Sequence, residues 1–280
     1  MSEIKNFKKS SFVKKYLLAD SLVSKLIFLI LVAVIFVLLL RVATSVIGYL
    51  FGPKNKPYIV KGLQEGNIRR LYSQDPNKSN SISILRSKNQ ESGIEFTYSV
   101  WLNVNYKQPN NTTYYNHVFS KGSTEQMNID MNGIYYPNNA PGMYLDMTSS
   151  DNNLVIIMNT MSGTDERIVI NRIPLQKWLC VVLRVKGKIL DVYINGIITK
   201  RQILNDVPKQ NYEDIIVAGG QLNGFNGQLS SLRYYNYALS INEINSILRK
   251  GPNLKADIKT ALSSRPPYLS TDWYFYNDKI

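Results

Sequence analysis

The side chains of this chain that are capable of chemistry are few, and their spacing argues against catalysis. Double displacement at a sugar needs two carboxyl groups about 5 Å apart, and on a strand that requires acids in i, i+2 phase. The nearest pairs, Glu91 with Glu95 and Asp146 with Asp151, lack that phase and read as solvated rim charges. His117 is the one histidine, and no G-x-S-x-G elbow accompanies it for a Ser-His-Asp arrangement. Cys180 is the one cysteine, which rules out an intrachain disulfide and a cysteine zinc site. Within WLCVV it reads as a small buried thiol rather than a partner for His117. The sequence holds no phosphate-binding glycine loop, dinucleotide fingerprint or H-E-x-x-H. In NIDMNG, Asn128, Asp130, Asn132 and Gly133 follow the first half of a calcium loop, but Asn139 stands where a bidentate glutamate is needed. No catalytic residue, metal ligand or cofactor is therefore expected, and calcium enters only as a weak partner.

Binding chemistry is better represented. YKQPNNTTYYNH (106–117) and IYYPNNAPGMY (134–144) combine tyrosine with asparagine and proline. Aromatic faces suit the C–H patches of a sugar and amides suit its hydroxyls; tyrosine is also enriched where proteins meet. The candidate ligand-binding residues are Asn110, Tyr114, Tyr115, Tyr135, Tyr136, Asn138 and Asn139. The competing reading is that Tyr135 and Tyr136 pack on a sheet while the asparagines turn the chain.

What positions these loops follows from the pattern around them. The chain of 280 residues carries a formal charge of +13, with 44% apolar and 19% charged residues, the composition of a folded protein. Up to Lys61, ten basic residues face only Glu3 and Asp20, so this quarter holds about +8 of the excess. Within it, Leu26 to Leu40 are fifteen uncharged apolar residues, and the run resumes past Arg41 as VATSVIGYLF. A membrane helix needs roughly 20 residues, and an arginine near one end can snorkel to the headgroups. A retained single-pass anchor fits better than a cleaved signal peptide, given the long polar lead-in. Basic residues crowding an apolar run point to a bilayer as partner and away from nucleic acid. Six lysines precede the run, which favours a cytosolic N-terminus; the sequons at Asn77, Asn110 and Asn111 suit a domain on the other side.

Beyond Gly52 the pattern shifts to short alternating runs separated by turn signals. In EFTYSVWLNV, Phe96, Tyr98, Val100, Leu102 and Val104 share one face of a strand. HVFSK, GMYLDM, NLVIIMN, ERIVINR, KWLCVVLRV, KILDVYIN, GIITKRQI, DIIVAGG and GQLSSLRYY continue the series, giving about ten strands and almost no helix. That predicts an all-β antiparallel sandwich. Lys186-Gly187 and Asn195-Gly196 predict tight type I′ hairpins, so Lys177 to Leu204 should form a three-stranded meander. Ser240 and Glu243 form an S-x-x-E capping box, Leu239 can staple onto Ile244, and Gly251 supplies a stop. The resulting short helix is expected across an open end or edge of the sandwich. The aromatic tail, with Trp273, Tyr274, Phe275 and Tyr276, is expected to pack back on the domain.

FTYSVWLNV, HVFSKG, WLCVVLRV leading into LDVYINGI, IIVAGG and FNGQLSSLRYYNYALSINEI, in this order, resemble the laminin-G-like branch of the concanavalin A-like lectin and glucanase superfamily. The resemblance implies a two-sheet jelly roll over residues 80–251, preceded by a transmembrane helix and closed by one short helix. Retaining glucanases of that superfamily carry a strand motif E-x-D-x-x-E, and this chain has none. Laminin-G-like domains bind calcium at a loop rim, where Asp130 or Asp151 would contribute. Tyr234, Tyr235 and Tyr237 fall where the family places scaffold residues. QDPNKSNSISILRSKNQESGIEFTYSVWL behind a basic anchor also resembles membrane-anchored virion proteins of large DNA viruses.

The expected organisation is a basic cytosolic tail (1–25), a transmembrane anchor (26–51), a juxtamembrane linker (52–79), the jelly roll (80–251) and the aromatic tail (252–280). The expected function is that of a membrane-anchored, non-enzymatic lectin-like or adhesion module. It would bind a glycan or a protein partner in an assembly, as in a virion membrane. The alternative is a membrane-bound glycoside hydrolase.

Overall fold

The computed structural model describes residues 22–51, 54–78, 81–91, 93–106, 115–123, 129–146, 152–163, 165–219 and 223–256. It divides into two units, Met1–Gly52 and Pro53–Ile280. The first contains helix α1 (Leu22–Phe51). Its stretch Leu22–Tyr49, 28 residues, is long and apolar enough to cross a membrane: at 1.5 Å per residue it reaches about 42 Å against a hydrocarbon core of about 30 Å. The Thr44 hydroxyl donates to the carbonyls of Leu40 and Arg41 (3.0 Å each), so this polar group is satisfied within the helix.

The second unit holds thirteen strands and one further helix among the described residues. The strands are β1 (Leu63–Glu65), β2 (Arg70–Tyr72), β3 (Lys88–Gln90), β4 (Gly93–Val104), β5 (Tyr115–Ser123), β6 (Gly142–Asp146) and β7 (Asn153–Asn159). They continue as β8 (Asp165–Ile170), β9 (Trp178–Lys186), β10 (Ile189–Ile194), β11 (Ile197–Ile203), β12 (Asp214–Val217) and β13 (Gly227–Tyr235). Helix α2 (Ile241–Lys250) follows. All pairings between these strands are antiparallel, and the isolated Leu63–Ala256 bridge is parallel. A seven-stranded sheet runs β1-β13-β4-β9-β10-β11, with β3 beside β4, and a six-stranded sheet runs β2-β12-β5-β6-β7-β8. The fold is thus the expected two-sheet jelly roll.

Alternation decides the core. Val100, Leu102, Val181 and Leu183 from one sheet meet Phe119, Leu145, Leu154, Ile156 and Val217 from the other in the main buried cluster. The meander forms as expected in strand terms, but its two turns differ. Asn195 and Gly196 both have positive φ (48° and 82°), the signature of a type I′ turn. In the preceding hairpin Ile189 faces Lys186, so the turn residues are Gly187 and Lys188, and only Gly187 has positive φ (59°). That is the type II′ pattern, which needs a glycine only at the first central position.

Two boundaries change. Residues 52–79, expected to be a linker, contribute β1 and β2 as edge strands of the two different sheets. Runs of three residues carry too little alternation to be seen in sequence. Helix α2, expected at an end or edge, instead lies on the outer face of the seven-stranded sheet. Leu239 and Ile244 there share a buried cluster with Trp101, Cys180, Val182, Tyr193 and Tyr235. These sheet residues sit one position out of phase with the core-facing set, so the sheet is apolar on both sides. The Ser240–Glu243 capping box is formed and Gly251 ends the helix with φ 67°. Of the tail, Lys255 accepts from Leu63 N–H at 2.7 Å; the aromatic cluster at 273–276 lies outside the described residues.

Candidate functional site

The outer face of the six-stranded sheet is covered by the irregular segment 129–141. Ile134 and Tyr135 pack there with Tyr144, Val155, Ile157 and Ile216. Tyr135 is fully buried, and Asn139, also buried, bridges this cover. Its Nδ2 donates to the Tyr135 carbonyl and its Oδ1 accepts from the Tyr144 hydroxyl, both at 2.6 Å. Asn138 is buried and donates to Glu213 Oε1 at 3.4 Å. Tyr115 is half-buried with its ring 6.4 Å from that of Tyr144. Tyr136 alone of this group is exposed; Asn110 and Tyr114 lie outside the described residues. Tyr115, Tyr135 and Asn139 are thus brought together around Tyr144, as scaffold rather than as an open face.

The residues with chemical potential are held in the same way. Asp130 Oδ1 accepts the backbone N–H groups of Asn132 and Ile134 (2.9 and 2.7 Å), an Asx turn. Asn128 and Asp151 lie outside the described residues, and among those described no three His, Cys, Asp or Glu side chains are placed to hold a metal. His117 Nε2 lies 2.9 Å from Ser120 Oγ, both side chains are fully buried, and among the described residues no acid is bonded to this pair. Burial pushes the His117 imidazole down to about 3, so it stays neutral at physiological pH. Burial pushes the Cys180 thiol up to about 12, which leaves it inert.

A concave site opens elsewhere, between the two sheets. It encloses a cavity of about 120 Å³. Its floor is the buried rings of Phe96 and Tyr98 from β4 and Tyr234 from β13. Tyr98 lies 5.0 Å from Tyr234 and 5.6 Å from Phe119 between ring centroids. Lys121 of β5 enters from the six-stranded sheet. Its Nζ donates to Asn211 Oδ1 at 3.0 Å and to the Glu213 carbonyl. Burial pushes this ammonium down to about 8, against the opposing charges of Glu213 and Asp214. Segment 209–212, between β11 and β12, forms one wall, with exposed Gln210 and Tyr212. Arg86 and Gln74 also line the cavity; Gln74 Oε1 accepts Ile84 N–H at 3.1 Å, and Gln210 Nε2 donates to Ser87 Oγ beside Arg86. Lys121, Arg86 and Lys209 make the lining cationic, and among the described residues no Asp or Glu is part of it.

Sequence reasoning passed over this cavity, though one signal was present. In HVFSKG, Lys121 stands two residues after Phe119 and hence on its core-facing side. A lysine there needs partners. The partners come from the 209–214 connection, which no local pattern links to β5.

Comparisons with known proteins agree with the architecture. Residues 76–245, more than half of the chain, match a laminin-G family model described as "Concanavalin A-like lectin/glucanases superfamily". No curated protein matches the chain. Among solved structures it is similar to the binding domain of Paraclostridial Mosquitocidal Protein 1, at 17% identity and a TM-score of 0.43, covering 71% of this chain and 48% of that one. It is similar to the receptor binding domain of botulinum neurotoxin D at 15% identity and a TM-score of 0.43, covering 70% and 48%. A third is the binding domain of botulinum neurotoxin DC in complex with rat synaptotagmin II, at 13% identity and a TM-score of 0.39, covering 56% and 35%. The chain therefore spans about half or less of the length of these structures.

Proposed function

The chain belongs to the concanavalin A-like lectin/glucanases superfamily, and from that premise we propose that it is a non-catalytic binding module, tethered to a bilayer by α1. Its ligand is a glycan seated in the cavity between the sheets. The observation that carries this reading is the lining itself: rings, amides and three cations, with no carboxylate among the described residues. A glycosidase of the usual kind needs two carboxyl groups across the scissile bond. A binding site needs only an apolar surface and convergent polar groups. Exposed Tyr212 offers a ring face, Gln210 keeps its amide oxygen for a hydroxyl while its nitrogen donates to Ser87 Oγ, Asn211 holds Lys121 in place, and Lys121 with Arg86 favours a sugar bearing a carboxylate.

The test uses the full chain in detergent micelles on an array of neutral and carboxylated glycans. Binding of a carboxylated glycan that is lost in Tyr212→Ala, with the glycan recovered intact, is the expected result. Release of a shorter sugar would replace the module by the hydrolase, and no glycan binding would remove the reading altogether.

A protein partner is favoured by a separate feature, the outer edge of the seven-stranded sheet. Strand β11 leaves Ile197 and Ile203 about 70% exposed (72% and 70%) beside an unpaired ladder edge, a surface suited to strand addition. A place in a virion membrane is supported by the resemblance of residues 74–102 alone, and co-purification with a particle envelope is its test.

A further inference from the structure

A second groove, sharing no residue with the cavity, lies on the outer face of the seven-stranded sheet beside α2 and encloses about 130 Å³. Three cations line it: Lys56, Arg233 and Lys250. Arg233 is fixed in place. Its Nε donates to the Lys56 carbonyl at 3.0 Å and its Nη1 to the Tyr58 hydroxyl at 3.2 Å. Its Cζ sits 4.2 Å from the Tyr58 ring centroid and 5.1 Å from that of Tyr235. A guanidinium stacked and anchored in this way loses little freedom when it takes up an anion.

The one acid among the described residues of the groove is already engaged. Glu243 accepts from Ser240 N–H at 2.9 Å, Ser240 Oγ at 3.0 Å and Tyr237 Oη at 2.8 Å. Two observations point to something missing from this pattern. The indole N–H of Trp101, on the groove wall and 92% buried by its 8% exposure, has no hydrogen-bond partner. Buried donors without acceptors are rare in native proteins. In addition β13 breaks register between Ser230 and Arg233, with Ser231 at a positive φ of 54°. Such bulges re-aim side chains beside sites, and here the residues re-aimed are Ser231 and Arg233, both on the groove.

We propose that this groove is an anion site that takes a phosphate ester, its oxygens received by Arg233, Lys56, Lys250 and the Trp101 indole N–H and its organic part set against Tyr237. A tetrahedral group with several acceptor oxygens suits donors that converge from β13, the chain entering the domain and α2; a planar carboxylate would leave most of them unmatched. Lys56 follows the last residue of α1 by five positions, so the ester group of a phospholipid and free inorganic phosphate are both sources of this chemistry.

Titration calorimetry on the full chain in uncharged detergent micelles separates them. The probes are inorganic phosphate, glycerol 3-phosphate and dibutyryl phosphatidic acid. The expected result is saturable binding that is tightest for the lipid analogue and weakens by about tenfold or more in Lys56→Gln/Lys250→Gln. Those two side chains are exposed, so the variant keeps its fold; an unchanged unfolding midpoint checks that. Equal binding of all three probes, lost in the double variant, supports the site with free phosphate as its source. No saturable binding, or binding that the double variant leaves unchanged, overturns it. Tyr212→Ala, which removes the exposed ring from the other cavity, should leave phosphate binding as it is, so the two sites fail separately.

Discussion

Helix α2 and the irregular segment 129–141 do the same job on opposite outer faces of the sandwich, and they do it with different physics. The helix closes its own backbone hydrogen bonds, is capped at Ser240 and stopped at Gly251, and buries a stripe led by Ile244. The segment has no ladder of its own beyond the Ile129–Tyr135 bridge. Its backbone bonds partly to other backbone, as where Ala140 N–H donates to the Lys121 carbonyl, and partly to side chains: Asp130, Asn139, Asn159 and the Tyr144 hydroxyl. A helical cover loses contacts one at a time, whereas an interlocked polar network fails as a unit. The segment should therefore be the more costly cover to damage.

Acid should expose the difference most strongly. His117 packs against Tyr135 (tilted) and Tyr144 (edge-on) beneath the irregular cover, with ring centroids 4.3 and 5.3 Å away. Its imidazole is lowered to about 3, so between the ordinary value near 6.5 and about 3 the unfolded chain binds a proton that the folded chain refuses. Stability on this account is intact above pH 6.5 and falls as the pH drops towards 3, by roughly 5 kcal/mol at full extent. Urea midpoints measured against pH should show the decline, and His117→Gln should flatten it. The helix-covered face holds Cys180 instead, whose thiol does not titrate in that range.

Next in size is Tyr135→Ala, which empties a fully buried ring position and leaves Asn139 and Tyr144 rearranged; a loss of about 3–5 kcal/mol is expected by denaturant unfolding. On the other face Ile244→Ala should cost about 2 kcal/mol and Ser240→Ala about 1 kcal/mol by the same measurement. If the helix-side losses equal or exceed the Tyr135 loss, the contrast between the covers is wrong.

The same contrast explains what could be read in advance. The strands from β4 to β13 announce themselves by alternation, and α2 by its cap, stripe and stop, because those signals are local. Its position over the sheet was harder: Trp101, Cys180 and Val182 had to be recognised as a second apolar face rather than as part of one core. Tyr135, Asn138 and Asn139 have the residue types of a sugar site, yet the structure spends them on closing the sheet, and residue type alone does not distinguish these uses. The cavity was invisible for a related reason. Lys121, Tyr98, Asn211 and Tyr234 meet only once both sheets are assembled, across separations in sequence that no motif spans.

The central claim is that the cavity between the sheets holds a sugar and leaves it intact. Hydrogen exchange on the full chain, with and without the best-binding array glycan, tests it most directly when the glycan mass is followed in the same samples. The account predicts slowed exchange at 84–86, 119–121, 140 and 209–212, no change over 129–138 or 241–250, and a glycan of unchanged mass. Protection confined to 134–139, or a shortened glycan, would contradict it.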